Sequence, residues 1–342
     1  MRHWIGIAAM LLLMCALAAT SHAQPHKVIF DTDFGLPPTD DGWALALALG
    51  SPELEILGVT TVAGNFSVER ATAEVLKMLE LSSREELPVY QGADMPLVHA
   101  PSDFARGEYG EWYSGDPPPM PAGGFASKSA ESISAMDFMV RTVLDAPGEV
   151  TLVAIGPLTN VAMAIRQHPR FASSVKQLVI MGGAIAQLPD GHGNVTPNAE
   201  FNFWVDPEAA RSVLRAGIPT MLSPLNVSRK TGLTRQWYEA IVARDTPITR
   251  LARERLGPRY AANPGRSDLM YDQVAVASLI DPTLVTTQEM FVDVDALHGI
   301  NYGVSVGGDE PWPGAEGAPR VQVQYDLDWD RFIRMFVERV SR

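Results

Sequence analysis

Four aspartates stand close together near the amino terminus, in the segment KVIFDTDFGLPPTDDGWALALAL that runs from Lys27 to Leu49. They are Asp31, Asp33, Asp40 and Asp41. Each ionised carboxylate raises the pKa of the others, so the group stays charged at neutral pH only if a positive charge lies among them. A hard divalent cation, which prefers oxygen ligands, meets that requirement. The segment therefore predicts a cation site.

The same segment contains the elements that would position these acids. The apolar residues 28–30 predict a buried strand, Gly35 and the two prolines after it predict a turn, and residues 40–49 predict a helix. Capping of that helix accounts for Asp40 and Asp41 but not for Asp31 and Asp33, which precede it. The acids thus follow the carboxyl end of a strand, where open α/β sheets bind ligands.

Strand and helix patterns alternate through most of the chain. The predicted elements are strands at residues 54–62, 150–155, 177–181, 291–296 and 320–325, and helices at residues 68–81, 157–167, 207–216 and from Trp329 onward. No repeat or long polar linker marks a second domain. This order predicts the α/β class, with a single open, mostly parallel, Rossmann-like sheet flanked by helices.

Two other classes of protein also carry acids in a short loop. An EF-hand that began at Asp31 would have glycine at its sixth position, but Gly35 is the fifth residue. A haloacid dehalogenase-type phosphatase also begins with a strand and Asp-x-Asp. Its usual next pair, Gly-Thr, is replaced here by Phe34-Gly35, an insert and the second aspartate pair. That phosphatase alternative stays open on the loop alone.

The first 23 residues, MRHWIGIAAMLLLMCALAATSHA, have a basic start, an apolar centre and small residues up to Ala23. This is the pattern of a cleaved signal peptide, and its apolar centre is shorter than the ~20 residues of a spanning helix. We therefore expect a mature domain of residues 24–342, periplasmic or secreted, without a stable membrane anchor. Cys15 is the only cysteine, so the mature domain would have no thiol for a disulfide, a metal site or a nucleophile.

The balance of charges restricts the partners of the chain. It has 27 basic and 40 acidic residues, which gives a formal net charge of −13. Such a charge disfavours binding of nucleic-acid polymers, whose backbone is anionic. A small neutral ligand remains compatible with it.

The acidic segment resembles the N-terminal signature of the inosine-uridine-preferring nucleoside hydrolases, Asp-Thr-Asp-x-Gly followed by Asp-Asp and a helix of small residues. Further segments follow in the order of that family: GVTTVAGN (58–65), LVAIGPLTN (152–160), IMGG (180–183), NVTPNAEFNFWVD (194–206), and Asp272 with its helix. Together they cover almost the whole mature chain. One departure is an insertion, because Leu36-Pro37-Pro38-Thr39 stands where family members usually have one residue.

The resemblance implies Ca²⁺-dependent hydrolysis of the N-glycosidic bond of a small-molecule ribonucleoside, which yields ribose and the free base. The implied Ca²⁺ ligands are the side chains of Asp33, Asp41 and Asp272 and the backbone carbonyl of Ile155. Asp33 would also be the general base for the attacking water. Cleavage develops positive charge on the sugar, which nearby carboxylates stabilise.

The resemblance also assigns residues to the sugar. Asp40 matches the residue that binds the 2′ and 3′ hydroxyls, and Asp31 matches an acid that supports the site through hydrogen bonds. The other matches to sugar or site contacts are Asn65, Asn194, Glu200 and Asn202. If their segment is extended, Glu200 and Asn202 face the same side. After Met181, a Gly-Gly turn would bring the backbone close to the substrate.

Tyr271 is the departure closest to the chemistry. Many family members have histidine immediately before the C-terminal metal-binding aspartate, and that histidine helps the base to leave. Tyr271 would act as the acid or stack on the base, or it packs in the core; its ordinary pKa of about 10 makes it a slower acid than histidine. His192, in a glycine-rich loop, is a substitute acid to be tested.

A second changed segment is residues 105–124, ARGEYGEWYSGDPPPMPAGG. Its aromatic residues Tyr109, Trp112 and Tyr113 would stack on a base as a substrate lid, with hinges at Gly107, Gly110 and Gly115, or form a packed insertion or an oligomer contact. Two alternative functions also stay open: an N-ribohydrolase for a different riboside, and a non-catalytic periplasmic riboside-binding protein. The resemblance further implies a homo-oligomer, either a dimer or a tetramer.

Overall fold

The computed structural model describes residues 24–105 and 118–342. The predicted signal peptide and the aromatic residues Tyr109, Trp112 and Tyr113 lie outside them. The described strands are β1 His26–Thr32, β2 Leu54–Thr61, β3 Val89–Gln91, β4 Val150–Ala154, β5 Gln177–Met181, β6 Thr220–Ser223, β7 Leu233–Thr234, β8 Ser267–Asp268, β9 Val285–Val294, β10 Ser305–Gly308 and β11 Arg320–Leu327.

All of these strands except β7 and β8 form one nine-stranded sheet with the order β10-β9-β11-β6-β5-β4-β1-β2-β3. Every neighbouring pair from β3 to β11 is parallel. Strand β9 is antiparallel to both β11 and β10. The sheet is therefore mostly parallel, as the sequence predicts, with an antiparallel edge.

The described helices are α1 Asp40–Leu49, α2 Val68–Leu81, α3 Ala135–Asp145, α4 Thr159–Gln167, α5 Phe171–Ser174, α6 Phe201–Val205, α7 Pro207–Leu214, α8 Leu225–Ser228, α9 Arg235–Ile241, α10 Pro247–Ala262, α11 Asp272–Ile280 and α12 Trp329–Val340, with a 3₁₀ turn at Pro282–Leu284. Within residues 24–105 and 118–342, no helix is long and apolar enough to cross a membrane.

Strand β1 is buried on both faces. Val28 and Phe30 pack in the core on one side of the sheet, and Ile29 packs in the core on the other. Helices α1, α2, α11 and α12 cover the first side, and α3, α4 and α7 cover the second. A parallel strand between two such layers has no solvated face, which explains its unbroken apolar run.

Strand β1 also lies at the point where the strand order reverses. The chain passes from β1 to β2 on one side and later returns to β4 on the other side of β1. The loops after β1 and β4 therefore diverge and leave a crevice at the carboxyl edge, where α/β sheets bind ligands. Asp31 lies near the carboxyl end of β1, and the chain leaves the strand at this edge of the sheet.

The structure corrects one local expectation. The segment with Glu200 and Asn202 is not extended throughout, because α6 begins at Phe201. Glu200 has extended backbone and caps this helix, and its carboxylate accepts from the N–H groups of Asn202 and Phe203. The short strands β3, β6 and β10 were not predicted, because three or four residues are too few to show a period.

Candidate active site

Three carboxylates meet at the amino ends of two helices. Asp40 and Asp41 form the first turn of α1, and Asp272 begins α11, which packs against α1. One oxygen from each of the three lies within 4.8 Å of the others. Helix amino termini favour negative charge, so both helices support acids at this position. The cluster brings together residues that are far apart in the sequence and has the oxygen donors that a hard cation needs.

Asp33 lies beside this cluster and is fully buried. Its Oδ2 accepts from the backbone N–H of Asn65 at 2.6 Å. Its Oδ1 is buried and has no hydrogen-bond partner among the described residues. Two glycines leave room for this side chain: a Cβ on Gly64 would lie 2.2 Å from Oδ2, and one on Gly156 would lie 2.9 Å from Oδ1. An orphaned, buried carboxylate oxygen fits a metal or water ligand, so the residues present suit the implied cation.

Asn65 donates hydrogen bonds to both Asp33 and Asp41, the two predicted metal ligands of the amino-terminal loop. Its N–H donates to Asp33, as described above, and its side-chain amide donates to Asp41 Oδ2 at 3.0 Å. The hydroxyl of Thr32 donates to the other oxygen of Asp41 at 2.5 Å. These donors orient both carboxylates and leave further lone pairs for a ligand.

Asp31 accepts hydrogen bonds from side chains of two other elements. Its Oδ1 accepts from the Thr60 hydroxyl at 2.6 Å and from the Asn160 amide at 2.8 Å. The same Asn160 accepts from the N–H of Ala93 at 2.8 Å. Asp31 therefore connects β1 with β2, α4 and the loop after β3. Thr32, Thr60 and Asn160 were not predicted as site residues. Their signals in the sequence are that Thr32 lies between two site acids and that Thr60 and Asn160 lie in the segments GVTTVAGN and LVAIGPLTN.

Burial raises the pKa of every acid in the site. It raises the pKa of Asp41 to about 7, and the charge of Asp40 adds to that effect. Burial and the charges of neighbouring acids raise the pKa values of Asp33 and Asp272 well above the ordinary range. Burial raises the pKa of Asp31 to about 6, against the hydrogen bonds from Thr60 and Asn160. The protein alone thus opposes ionisation of this cluster, and a bound divalent cation would reverse that balance.

A cavity of about 260 Å³ opens above these acids. Its lining contains nearly all the residues that the resemblance assigns to sugar or metal: Asp40, Asn65, Ile155, Met181, Asn194, Glu200, Asn202, Tyr271 and Asp272, together with Val195 and Phe201. The structure therefore brings these predicted residues to one place. Asp33 and Asp41 lie beneath, held by Asn65.

Glu200 and Asn202 secure one wall of the cavity. Glu200 is buried and accepts from the N–H of Gly183 at 2.8 Å, and burial raises its pKa to about 7. The side-chain amide of Asn202 donates to the carbonyl oxygens of Ile155 at 2.9 Å and Met181 at 3.2 Å. Gly183 has φ +79°, a conformation that other residues rarely adopt. The predicted tight turn after Met181 is therefore present.

The loop with His192 and Asn194 forms the outer rim. Asn194 lines the cavity, and its Oδ1 accepts from the N–H of Phe201 at 2.9 Å. His192 is exposed, its ring contacts the carbonyl of Gly193, and it is not among the cavity-lining residues. The guanidinium of Arg229 donates to the carbonyls of Asp190, His192 and Gly193 at 2.5 to 3.1 Å. These hydrogen bonds from Arg229 hold the loop, in which Asn194 lines the cavity and His192 does not.

Tyr271 is half-buried and lines the cavity. Burial and the charge of Asp40 raise the pKa of Tyr271, whereas the charge of Arg229 opposes the shift. At neutral pH its phenol therefore keeps its proton and is available as a hydrogen-bond donor.

The family described as inosine-uridine preferring nucleoside hydrolase matches residues 28–334. The chain belongs to this family. It is 34% identical over 321 residues to a pyrimidine-specific ribonucleoside hydrolase, RihA, of Citrobacter koseri, an alignment that covers 92% of this chain and 97% of the relative.

Two solved nucleoside hydrolases have the same fold. A plant nucleoside hydrolase has a TM-score of 0.78 and 30% identity, and the match covers 93% of this chain and 99% of that chain. A purine-preferring ribonucleoside hydrolase from Gardnerella vaginalis has a TM-score of 0.74 and 29% identity, covering 92% and 98%. The predicted family and α/β fold are confirmed. As a nucleoside hydrolase, the chain is an enzyme that hydrolyses N-glycosidic bonds of ribonucleosides.

Proposed function

We propose that this nucleoside hydrolase depends on Ca²⁺ and uses Asp33 as its general base. The observation that carries the proposal is the group of buried Asp33, Asp41 and Asp272 with half-buried Asp40. Besides burial, the charges of other acids raise the pKa values of Asp33 and Asp272, and an added cation would offset these charges. Carboxylates and a carbonyl are the ligands that Ca²⁺ prefers.

The metal ligands in this proposal are Asp33, Asp41 and Asp272 through side chains and Ile155 through its carbonyl oxygen. When bound, Ca²⁺ would orient water and make it easier to deprotonate. Asp40, whose oxygen lies within 4.8 Å of oxygens of Asp41 and Asp272, binds the vicinal hydroxyls of ribose at the edge of the metal site. Asp31 supports the site through its hydrogen bonds with Thr60 and Asn160.

The reaction begins with the ribose seated in the cavity. Asn65, Asn194, Glu200 and Asn202, together with the backbone after Met181, bind and orient the sugar. The bond between C1′ and the base nitrogen breaks and its electron pair leaves with the base. A water oxygen then bonds to C1′ while Asp33 accepts a proton. The surrounding carboxylates stabilise the positive charge that develops on the ribose.

Tyr271 serves the leaving base in this proposal. Its protonated phenol on the cavity rim donates a proton to the departing nitrogen or stacks on the ring. Because a phenol is a weaker acid than imidazolium, a riboside with a good leaving group is a second candidate substrate. That alternative rests on the replacement of the usual histidine by Tyr271.

In this proposal residues 1–23 are a cleaved signal peptide that directs the enzyme to the periplasm or out of the cell, and residues 24–342 are the mature hydrolase domain. Its assembly is a homo-oligomer, either a dimer or a tetramer.

A ribose-release assay tests the proposed function. The purified mature chain is incubated with a panel of purine and pyrimidine ribonucleosides and with p-nitrophenyl riboside, each with Ca²⁺ or with a chelator. We expect turnover that the chelator abolishes and added Ca²⁺ restores. No turnover of any riboside with Ca²⁺ would overturn catalysis and favour a riboside-binding protein. Full turnover in the chelator would overturn the metal dependence.

A further inference from the structure

The inserted residues Leu36 and Pro37 are held on two sides by side chains from separate helices. The backbone N–H of Leu36 donates to Oε2 of Glu74, in α2, at 2.6 Å. From α10, Nη1 of Arg255 donates to the carbonyl oxygens of Leu36 at 3.3 Å and Pro37 at 3.2 Å. Donor and acceptor groups of the insertion are therefore both bound by charged side chains.

Glu74 also reaches the loop that follows β2. Its Oε1 accepts from Nε of Arg70 at 3.0 Å, and the Arg70 guanidinium lies 3.7 Å from the centre of the Phe66 ring. Phe66 follows Asn65, the residue that donates to both Asp33 and Asp41. The buried carboxylate of Glu74 therefore binds the insertion directly and reaches the loop after β2 through Arg70. Both loops hold residues that orient the site acids.

The insertion contacts the first turn of helix α1 directly. The hydroxyl of Thr39, its last residue, donates to the carbonyl of Gly35 and accepts from the N–H of Gly42 at 3.1 Å. A Cβ on Gly42 would lie 2.5 Å from the backbone nitrogen of Pro37. With so little free space, a shift of Leu36 or Pro37 displaces the first turn of α1, which contains Asp40 and Asp41.

We propose that Glu74 and Arg255 are positioning residues for the metal centre, which hold the inserted loop so that Asp40 and Asp41 stay beside Asp272. The inference rests on the proposed function, because it assumes that this cluster binds Ca²⁺. A longer loop has more conformational freedom, and fixing it requires added interactions. The side chain of Glu74 is 5% exposed, so it offers both oxygens to the protein and has little contact with water. An exposed ion pair between Glu74 and Arg70 would use only Oε1 of Glu74 and would contribute little. Here the second oxygen, Oε2, accepts from the N–H of Leu36.

The test uses Ca²⁺ binding to the full mature chain. The variants are Glu74→Ala, Glu74→Gln and Arg255→Ala, and the matched controls are Glu69→Gln on α2 and Glu254→Gln on α10. Calorimetric titration with Ca²⁺ gives the Kd, and thermal melts with and without Ca²⁺ give the rise in Tm that binding causes. Ribose release is measured alongside.

We expect Glu74→Ala and Arg255→Ala to weaken Ca²⁺ binding by about 10- to 100-fold, as removal of groups that orient metal ligands does. Glu74→Gln retains an acceptor for Leu36 and should fall between Glu74→Ala and the original chain. Both controls should stay within about twofold of the original Kd, the usual scale for surface changes. If Glu74→Ala does not fold, Glu74→Gln and Arg255→Ala decide the result.

A merely structural role gives a different result. It would lower Tm equally with and without Ca²⁺ and leave Kd unchanged in the folded variants, which would overturn the inference. If the unsubstituted chain does not bind Ca²⁺, the proposed metal dependence fails and the inference fails with it. Binding by the unsubstituted chain with unchanged binding by all three variants overturns the inference alone.

Discussion

The side-chain amide of Asn202, a predicted sugar contact, donates at 2.9 Å to the carbonyl oxygen of Ile155, the predicted carbonyl ligand of the metal. Asn202 lies in α6, and Ile155 follows β4. The same amide reaches the carbonyl of Met181 at the end of β5. One side chain therefore sets the spacing of two strand ends that line the cavity.

Asn202→Ala should lower kcat/KM by about 100-fold, because two carbonyl groups lose their donor and the cavity loses a sugar contact. Steady-state ribose release measures the effect. Asn198→Ala, an exposed change in the preceding loop, is the control and should leave kcat/KM within about twofold. Equal activity of the two variants would contradict the role of Asn202.

Asp33→Asn should lower kcat by about 10²- to 10⁴-fold, the usual contribution of a general base. Asparagine has nearly the same shape and can still accept from the N–H of Asn65, so the fold should be retained. Single-turnover ribose release with saturating Ca²⁺ measures the chemical step. If Asp33→Ala or Asp33→Asn retains full activity, both the base and the metal assignment of Asp33 are wrong.

Tyr271→Phe should slow natural nucleosides more than p-nitrophenyl riboside, because nitrophenolate leaves without protonation. The comparison needs kcat/KM for both substrates in the same preparation. Phenylalanine keeps the ring, so a stacking role would survive the change. An equal loss on both substrates would refute the acid role of Tyr271.

Glu200 should make the Ca²⁺-free protein less stable as pH rises. Burial raises its folded pKa from the ordinary value of 4.5 to about 7. The folded state therefore holds a proton that the unfolded state releases between these values, and stability falls as pH rises through this window, by about 3 kcal/mol at most.

Denaturant titrations of the chelated protein at pH 4.5 and 7.5 measure this effect. Glu200→Gln should reduce the loss between the two values, whereas Glu254→Gln, an exposed change, should not. If Glu200→Gln shows the same pH dependence as the original chain, Glu200 does not titrate as described.

The sequence predicted the parts of the site that depend on local pattern. The apolar run at residues 28–30 must be buried, so Asp31 and Asp33 had to follow a strand end. The helical period after Asp40 similarly placed Asp40 and Asp41 in a first turn. Both were confirmed in β1 and α1, except that β1 extends to Thr32 and so contains Asp31, and only Asp33 follows its end. The condition that the segment around Asn202 is extended is not met, because a helix begins at Phe201. Five residues of helix are too short to show a period in the sequence, and the cap by Glu200 depends on geometry.

The sequence by itself thus determined the family and the mostly parallel sheet, since these follow from local periodicity and ordered motifs, and it predicted which residue types would carry the chemistry. Only the tertiary structure decided that Asp272 meets Asp40 and Asp41 within 4.8 Å, that Asn202 holds Ile155, and that Glu74 holds Leu36. The physical reason is that such distances depend on how helices and strands pack, and separation along the chain does not specify them.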